Sequence, residues 1–201
     1  MVNIERLNHS GFLIKSGTKN IAVDPYKIDS GFKADIILIT HPHFDHYSPS
    51  DIKRIKKRGS VVLMPPMNNS KVGVCKPINL RSWSELNIGD ISIKAVPSYN
   101  LDKSYHPKTN GWLGYIIYVD GERIYHAGDT DFIDEMSYLG PIDYAMLPVS
   151  GKYTMDAKEA AEAARVINPR LAIPMHYGEL IGGVNCAEEF SKLCPCQVRI
   201  N

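Results

Sequence analysis

The run Asp35-Ile-Ile-Leu-Ile-Thr40 leads straight into His41-Pro-His43-Phe-Asp45-His46. Three of its four consecutive aliphatic residues are β-branched. An unbroken aliphatic stretch, rather than an alternating one, predicts a strand buried on both faces. Such a strand sits inside a sheet with material packed above and below it, so the chain must build layers on both sides. At 201 residues and 44% hydrophobic, it has enough apolar side chains for one compact domain, expected to span residues 1–201.

The other segments supply those layers. Residues 3–25 read as three short strands, with Ser16-Gly17 as one of the turns. Ser48 is a good N-cap, Pro49 suits a first helical position and Gly59 is a stop, which predicts a helix between them. Val61–Met64 is strand-like, and "ELNIGDISIKAVPS" reads as two strands about a turn at Asn87 to Asp90. "GWLGYIIYVDGERIYHAGD" is a hairpin closed by Asp120-Gly121, a favoured two-residue turn. A short helix near 132–138 closes at Gly140-Pro141, and "DYAMLPV" is another strand.

The last third alternates. "DAKEAAEAARVINP" is a helix with a capping box, Asp156 answered by Glu159, and its small face of Ala157, Ala160, Ala161, Ala164 and Ile167 allows close packing on a sheet. "RLAIPM" is a strand, Asn185 and Glu188 cap a final helix with Phe190 and Leu193, and "CQVRI" closes the series. The order predicts an α/β sandwich with helices on the outer faces of mixed sheets.

Bulk properties exclude several classes. A net charge of +1 gives no electrostatic reason for a nucleic-acid or membrane partner, and the basic stretch 51–59 reads as a solvated helix face. No apolar run approaches the roughly 20 residues that span a bilayer, and the N-terminus lacks the apolar core of a signal peptide. Cys75, Cys186, Cys194 and Cys196 contain no CxxC spacing and read as reduced thiols of a cytoplasmic protein.

Three of the seven histidines fall within six positions, 41 to 46. His41 and His43 flank Pro42 in a loop and can face one ion, while Asp45 and His46 can face a second beside it. Strand ends are rigid posts for such a site, and three more polar residues follow aliphatic runs: Asp24, Asp129 and His176. A carboxylate bridging two ions would hold them roughly 3.5–4 Å apart, as two-metal hydrolytic sites require. A single structural metal is the rival, but the cluster lacks the cysteine common in closed structural zinc sites.

"THPHFDH" resembles the H-x-H-x-D-H signature of metallo-β-lactamase-fold hydrolases. "IAVDP", "YHAGDTD" and "PVSGKYTMDAKEAAEAA…PMHYG" resemble that family's later motifs, in order, over nearly the full length. The pattern is similar to the branch of metal-dependent hydrolases that includes L-ascorbate-6-phosphate lactonase-like proteins. The resemblance implies a four-layer αβ/βα sandwich of two mixed sheets with the site at one edge. It also implies His41 and His43 on a first metal, Asp45, His46 and His176 on a second, and Asp129 between them.

One departure stands out. Where the family usually supplies a third histidine to the first metal, this chain has Asn100; His106, six residues on, is the candidate replacement, with substrate contact or a weak first site as the other readings. His9 is read as a neighbour of the metal rim or as an ordinary turn histidine, His126 as a buried hydrogen-bonding residue, Asp24 as an acceptor that orients a ligand, and Tyr153 as a residue of the mouth.

The expected activity is metal-dependent hydrolysis by a metal-bridging hydroxide of a small ester, lactone or phosphodiester-type substrate, with Asp45 orienting the nucleophile or handling its proton. Zinc is expected first, with manganese, iron or nickel as alternatives. A di-iron oxygen-reducing role is disfavoured, because such relatives carry glutamate where His43 stands. The rival functions are a metal-binding sensor or scaffold without turnover, and a nuclease, which the neutral charge and the lack of room for a clamping domain disfavour. A homo-oligomer is compatible with the sequence.

Overall fold

The computed structural model describes residues 2–29, 31–66, 76–178 and 180–200. Two mixed sheets face one another. The first runs β1 (Asn3–Asn8), β2 (Gly11–Ser16), β3 (Lys19–Val23), β4 (Ala34–Leu38), β5 (Lys56–Met64) and β6 (Ile78–Asn79) in spatial order. Its first two pairings are antiparallel and the rest parallel. The second contains β7 (Glu85–Ile88), β8 (Ile91–Pro97), β9 (Leu113–Val119), β10 (Glu122–His126), β11 (Tyr144–Pro148), β12 (Leu171–Met175) and β13 (Gln197–Val198), again in spatial order. It is antiparallel up to β10 and parallel beyond.

The doubly buried reading of the aliphatic run is realised side chain by side chain. Ile36 and Leu38 join the large core between the sheets, while Ile37 and Ile39 point the other way, into a second cluster with Ile52 and Ile55 of α1 (Pro49–Ile55). Period-two alternation sends successive residues to opposite faces, so both faces must be apolar. On the far side, α2 (Ala157–Ile167) packs on β11 and α3 (Val184–Leu193) on β12, and the two helices touch each other. The architecture is therefore the αβ/βα sandwich.

Local chemistry explains most boundaries. Asp156 accepts from the backbone of Lys158 and Glu159, and Glu159 accepts from Asp156 N, which completes the box that starts α2. Asp120 (φ 52°) and Gly121 (φ 78°) are both left-handed, as the tight turn between β9 and β10 requires.

Two boundaries differ from expectation. The helix begun at Ser48 ends at Ile55, short of Gly59, because Lys56 turns extended and pairs with Ala34; residues 56–60 belong to β5, with a register shift opposite Ala34 to Ile36. The basic stretch 51–59 is thus part helix and part strand, and Lys57 Nζ lies 2.9 Å from Asp35 Oδ1. The last helix begins after Gly183 with no side-chain cap, so Asn185 lies inside it. Cys186, Cys194 and Cys196 are free thiols, with 3.5 Å between the sulfurs of Cys194 and Cys196, and Cys75 lies outside the described residues. Among the described residues no helix is long and apolar enough to cross a membrane.

Candidate metal centre

The ends of β1, β3, β4, β10, β11 and β12 meet along one rim. Two buried links tie the sheets together there: Tyr115 Oη donates to Ile39 O at 2.7 Å, and Leu113 N donates to Thr40 O at 3.1 Å. Asp24 (φ 44°), His9 (φ 47°) and His176 (φ 57°) all adopt left-handed backbone just past their strands. For residues with a side chain this conformation is costly and persists where surrounding structure enforces it, often at functional sites.

Asp129 is the hub. Its Oδ2 lies 3.0 Å from His176 Nε2, 3.3 Å from His106 Nε2 and 3.8 Å from His41 Nε2; its Oδ1 lies 3.3 Å from His46 Nε2. His43 Nδ1 is 3.1 Å from His41 Nε2. Asp45 Oδ2 stands 3.2 Å from His9 Nε2 and 4.0 Å from both His46 and His176 Nε2. The donors fall into two groups, His41, His43, His106 and Asp129 in one and His9, Asp45, His46 and His176 in the other, and within each group the donor atoms lie within 4.8 Å of one another.

A surrounding set of polar groups fixes which ring nitrogen faces inward. The Thr40 hydroxyl donates its one proton to Asp24 Oδ2 at 2.6 Å, leaving a lone pair for His41 Nδ1 at 2.9 Å. Asp24 also accepts from Thr40 N, and its Oδ2 lies 2.7 Å from His46 Nδ1. Asn100 Oδ1 accepts from both the backbone N–H and Nδ1 of His106, while its amide nitrogen donates to Asp131 and to Tyr153 O, which settles the amide's orientation. Ser150 Oγ sits 2.9 Å from His176 Nδ1. In each case the outer nitrogen is engaged and the inner one faces the centre, where a cation that takes the place of any proton there would meet its lone pair.

Burial and mutual charge shape the protonation. Burial, reinforced by His46, pulls His41 well below the usual imidazole range; burial likewise lowers His43 and His9. For His46 burial also acts downward, but the carboxylates of Asp129 and Asp24 outweigh it and raise the ring well above its ordinary value. Asp129 is pushed up by burial and pulled down harder by His176 and His46, so it stays ionised. Asp45 follows the same balance, with His9 and His46 prevailing.

The centre tests well for a cation. Both ring nitrogens of His9, Nε2 of His46, Nε2 of His106 and Oδ1 of Asp129 are buried without a well-aligned hydrogen bond, although the three rings stand 3.2–3.3 Å from carboxylate oxygens of Asp45 or Asp129. Buried polar atoms without a well-made hydrogen bond are costly, and five in one place match an imidazole and carboxylate donor set for a divalent transition metal.

The structure therefore brings together all seven residues singled out from the sequence: His41, His43, Asp45, His46, His106, Asp129 and His176. Of the two readings of His9, rim neighbour or ordinary turn histidine, the geometry favours the first, since His9 falls in the second donor group. Asn100 contributes by holding His106. His126 stands apart from the donors: its Nε2 is 2.8 Å from Ser10 O, and Gly128 N donates to its Nδ1 at 3.2 Å. The indole of Trp112 packs 5.0 Å from His41 and 4.9 Å from His43 between ring centroids, and sequence patterning gave no hint of it. A cavity of about 360 Å³ opens onto the donors, and Tyr153 lines it.

Residues 3–176 match the family model described as a beta-lactamase superfamily domain. A UPF0173 metal-dependent hydrolase of Pyrococcus furiosus is 34% identical over 210 residues, covering 96% of this chain and 92% of the relative. Another, of Pyrococcus abyssi, is 32% identical over 216 residues, covering 100% and 95%. Among solved structures, a protein of Parabacteroides distasonis superposes with a TM-score of 0.89 at 35% identity, covering 100% of this chain and 92% of that one. Igni18, a metallo hydrolase of Ignicoccus hospitalis, shares the fold with a TM-score of 0.79 at 24% identity over 100% and 94%. With a histidine-rich rim at the meeting of two mixed sheets and full-length likeness of this kind, the chain belongs to the UPF0173 metal-dependent hydrolases of the beta-lactamase superfamily.

Proposed function

We propose that the protein hydrolyses a small ester, lactone or phosphodiester-type substrate at a centre that holds two divalent ions. One observation carries this reading: two four-residue donor groups lie side by side, and the Asp129 carboxylate contacts rings of both. His41, His43 and His106 would hold one ion, and Asp45, His46 and His176 the other, with Asp129 shared and His9 beside the second. When bound, such ions lower the pKa of water toward neutrality and polarise the bond to be cleaved. The all-nitrogen-and-oxygen donor set suits zinc first, and manganese, iron or nickel as alternatives.

The chain's own groups do the rest. Thr40, Asp24, Asn100 and Ser150 fix the inward lone pairs, so little reorganisation is needed on loading. Asp45 lines the cavity and stays ionised with its Oδ2 3.2 Å from His9 Nε2, and we assign its carboxylate to orient an attacking water and take its proton. Trp112 packs over the first group and restricts water there. We take residues 1–201 as one hydrolase domain acting on a small molecule in the cytoplasm, with a homo-oligomer compatible with the fold.

The test is metal analysis with turnover. Protein stripped by chelator should lose activity on generic ester or phosphodiester substrates and recover it on binding about two equivalents of a divalent metal. Metal-dependent capture of a partner without turnover would support a sensor or scaffold instead.

A further inference from the structure

The centre is polar at its floor and carbon-rich at its walls. The cavity above the donors is lined by Phe44, Tyr105, Tyr153, Leu180 and Ile181 as well as by the donors themselves. Three of these wall residues are markedly open to solvent: Phe44 is 67% exposed, Tyr105 47% and Leu180 38%. Apolar side chains standing clear of the core beside a reactive centre are a binding surface for apolar matter. The wall is also held in shape. Tyr105 and Tyr153 pack edge to face with centroids 4.5 Å apart, and Phe44 packs against Tyr26 at 5.9 Å.

No lysine or arginine is among the described residues that line the cavity. The nearby Lys103 is committed to Asp131 at 2.6 Å, and the exposed Lys152 reaches the ring of Tyr153 at 5.0 Å without lining the cavity. Sites that select phosphate esters usually supply arginine or lysine to the non-bridging oxygens; here those oxygens would meet aromatic carbon.

We infer that the substrate is a neutral carbonyl ester or lactone with an apolar alkyl or aryl substituent that lies against Phe44, Tyr105, Tyr153, Leu180 and Ile181. This rests on the hydrolytic reading above and narrows it. In the step, a water oxygen bonds to the carbonyl carbon and the acyl C–O bond breaks. One water proton passes to the leaving alkoxide and the other is released to solvent, giving a carboxylate fragment and an alcohol, joined in one molecule for a lactone, with no oxidant or reductant consumed.

Two measurements on metal-loaded protein separate this inference from the reading beneath it. The first compares kcat/KM for nitrophenyl acetate, butanoate and hexanoate with bis(nitrophenyl) phosphate. Each methylene that is buried should raise kcat/KM up to about four-fold, and the phosphodiester should trail the hexanoate. Tyr105→Ala and Leu180→Ala, both at exposed positions, should lower the hexanoate rate more than the acetate rate. The second measures calorimetric affinity for aceto-, butano- and hexanohydroxamate, which bind metal without turnover and should tighten along the series. A flat chain-length dependence in both, or a phosphodiester handled as well as the hexanoate, overturns the inference and leaves hydrolysis standing. Affinity that climbs with chain length while neither substrate class is turned over overturns the hydrolytic reading and supports the apolar wall.

Discussion

Asn100 occupies a position from which a side chain could have faced the metal centre, and instead it holds another residue there. Its Oδ1 takes two hydrogen bonds from His106, and the ring's far nitrogen lies 3.3 Å from Asp129. Removing that acceptor in Asn100→Ala should weaken metal binding by about 10- to 100-fold, the usual cost of losing an orienting partner, measured by competition with a chromophoric chelator. Asp45→Asn should preserve the fold and lower kcat by at least roughly 100-fold, the low end for a positioned acid–base group, read from steady-state rates alongside a far-ultraviolet spectrum. The buried rings also set a pH dependence. His9, His41, His43 and His126 have folded-state values below the ordinary imidazole value, so the stability they carry is complete above about pH 6.5 and falls as pH drops below it. His46, raised, acts oppositely, its contribution being complete below about pH 6.5 and lost as pH rises through its folded value. With four rings against one, thermal melts of metal-free protein should show Tm falling from about pH 7 to about pH 5; a rising Tm would contradict the assignment. At this scale the sequence was informative where residue types were unusual in their spacing, as at 41–46. It left alternatives open where a residue's role depends on which loop folds back, as for His9 and His106, and it was silent on Trp112.

Strand ends carry the centre because parallel neighbours bring their C-terminal ends to the same edge. β3 and β4 run parallel, as do β10, β11 and β12, so Asp24, His41, Asp129, Ser150 and His176 all emerge along one rim. The approach to Asp129 is tight. Gly128 is left-handed (φ 67°), and a β-carbon there would come 2.8 Å from Leu113 O and 2.8 Å from Ser98 Oγ. Gly128→Ala should therefore cost at least about 2 kcal/mol, within the range for a strained left-handed residue, and should also lower metal occupancy because Asp129 must shift; chemical denaturation and metal content check the two effects. Most elements were legible from apolar pattern and capping residues, as the Asp156–Glu159 box and the Asp120-Gly121 turn illustrate. The end of α1 was not. Gly59 looked like a helix stop, but pairing of Lys56 with Ala34 claimed the preceding residues for β5, a tertiary contact that local propensity does not encode.

Across the whole molecule, the two sheets act as opposing jaws joined at the metal rim. His9, His41, His43 and His46 come from the first sheet's side, and His106, Asp129 and His176 from the second, so ions held between them would cross-link the halves of the fold. The sandwich itself was legible from the order of strands and helices. How its two sheets meet depends on contacts between residues far apart in the chain, such as Tyr115 with Ile39, and no single segment announces them. The central claim is that two ions sit on either side of Asp129, and anomalous-difference maps from crystals grown with zinc test it most directly. The account predicts two peaks per chain, one among His41, His43 and His106 and one among Asp45, His46 and His176, with Asp129 contacting both. A single peak, or peaks away from Asp129, would contradict it.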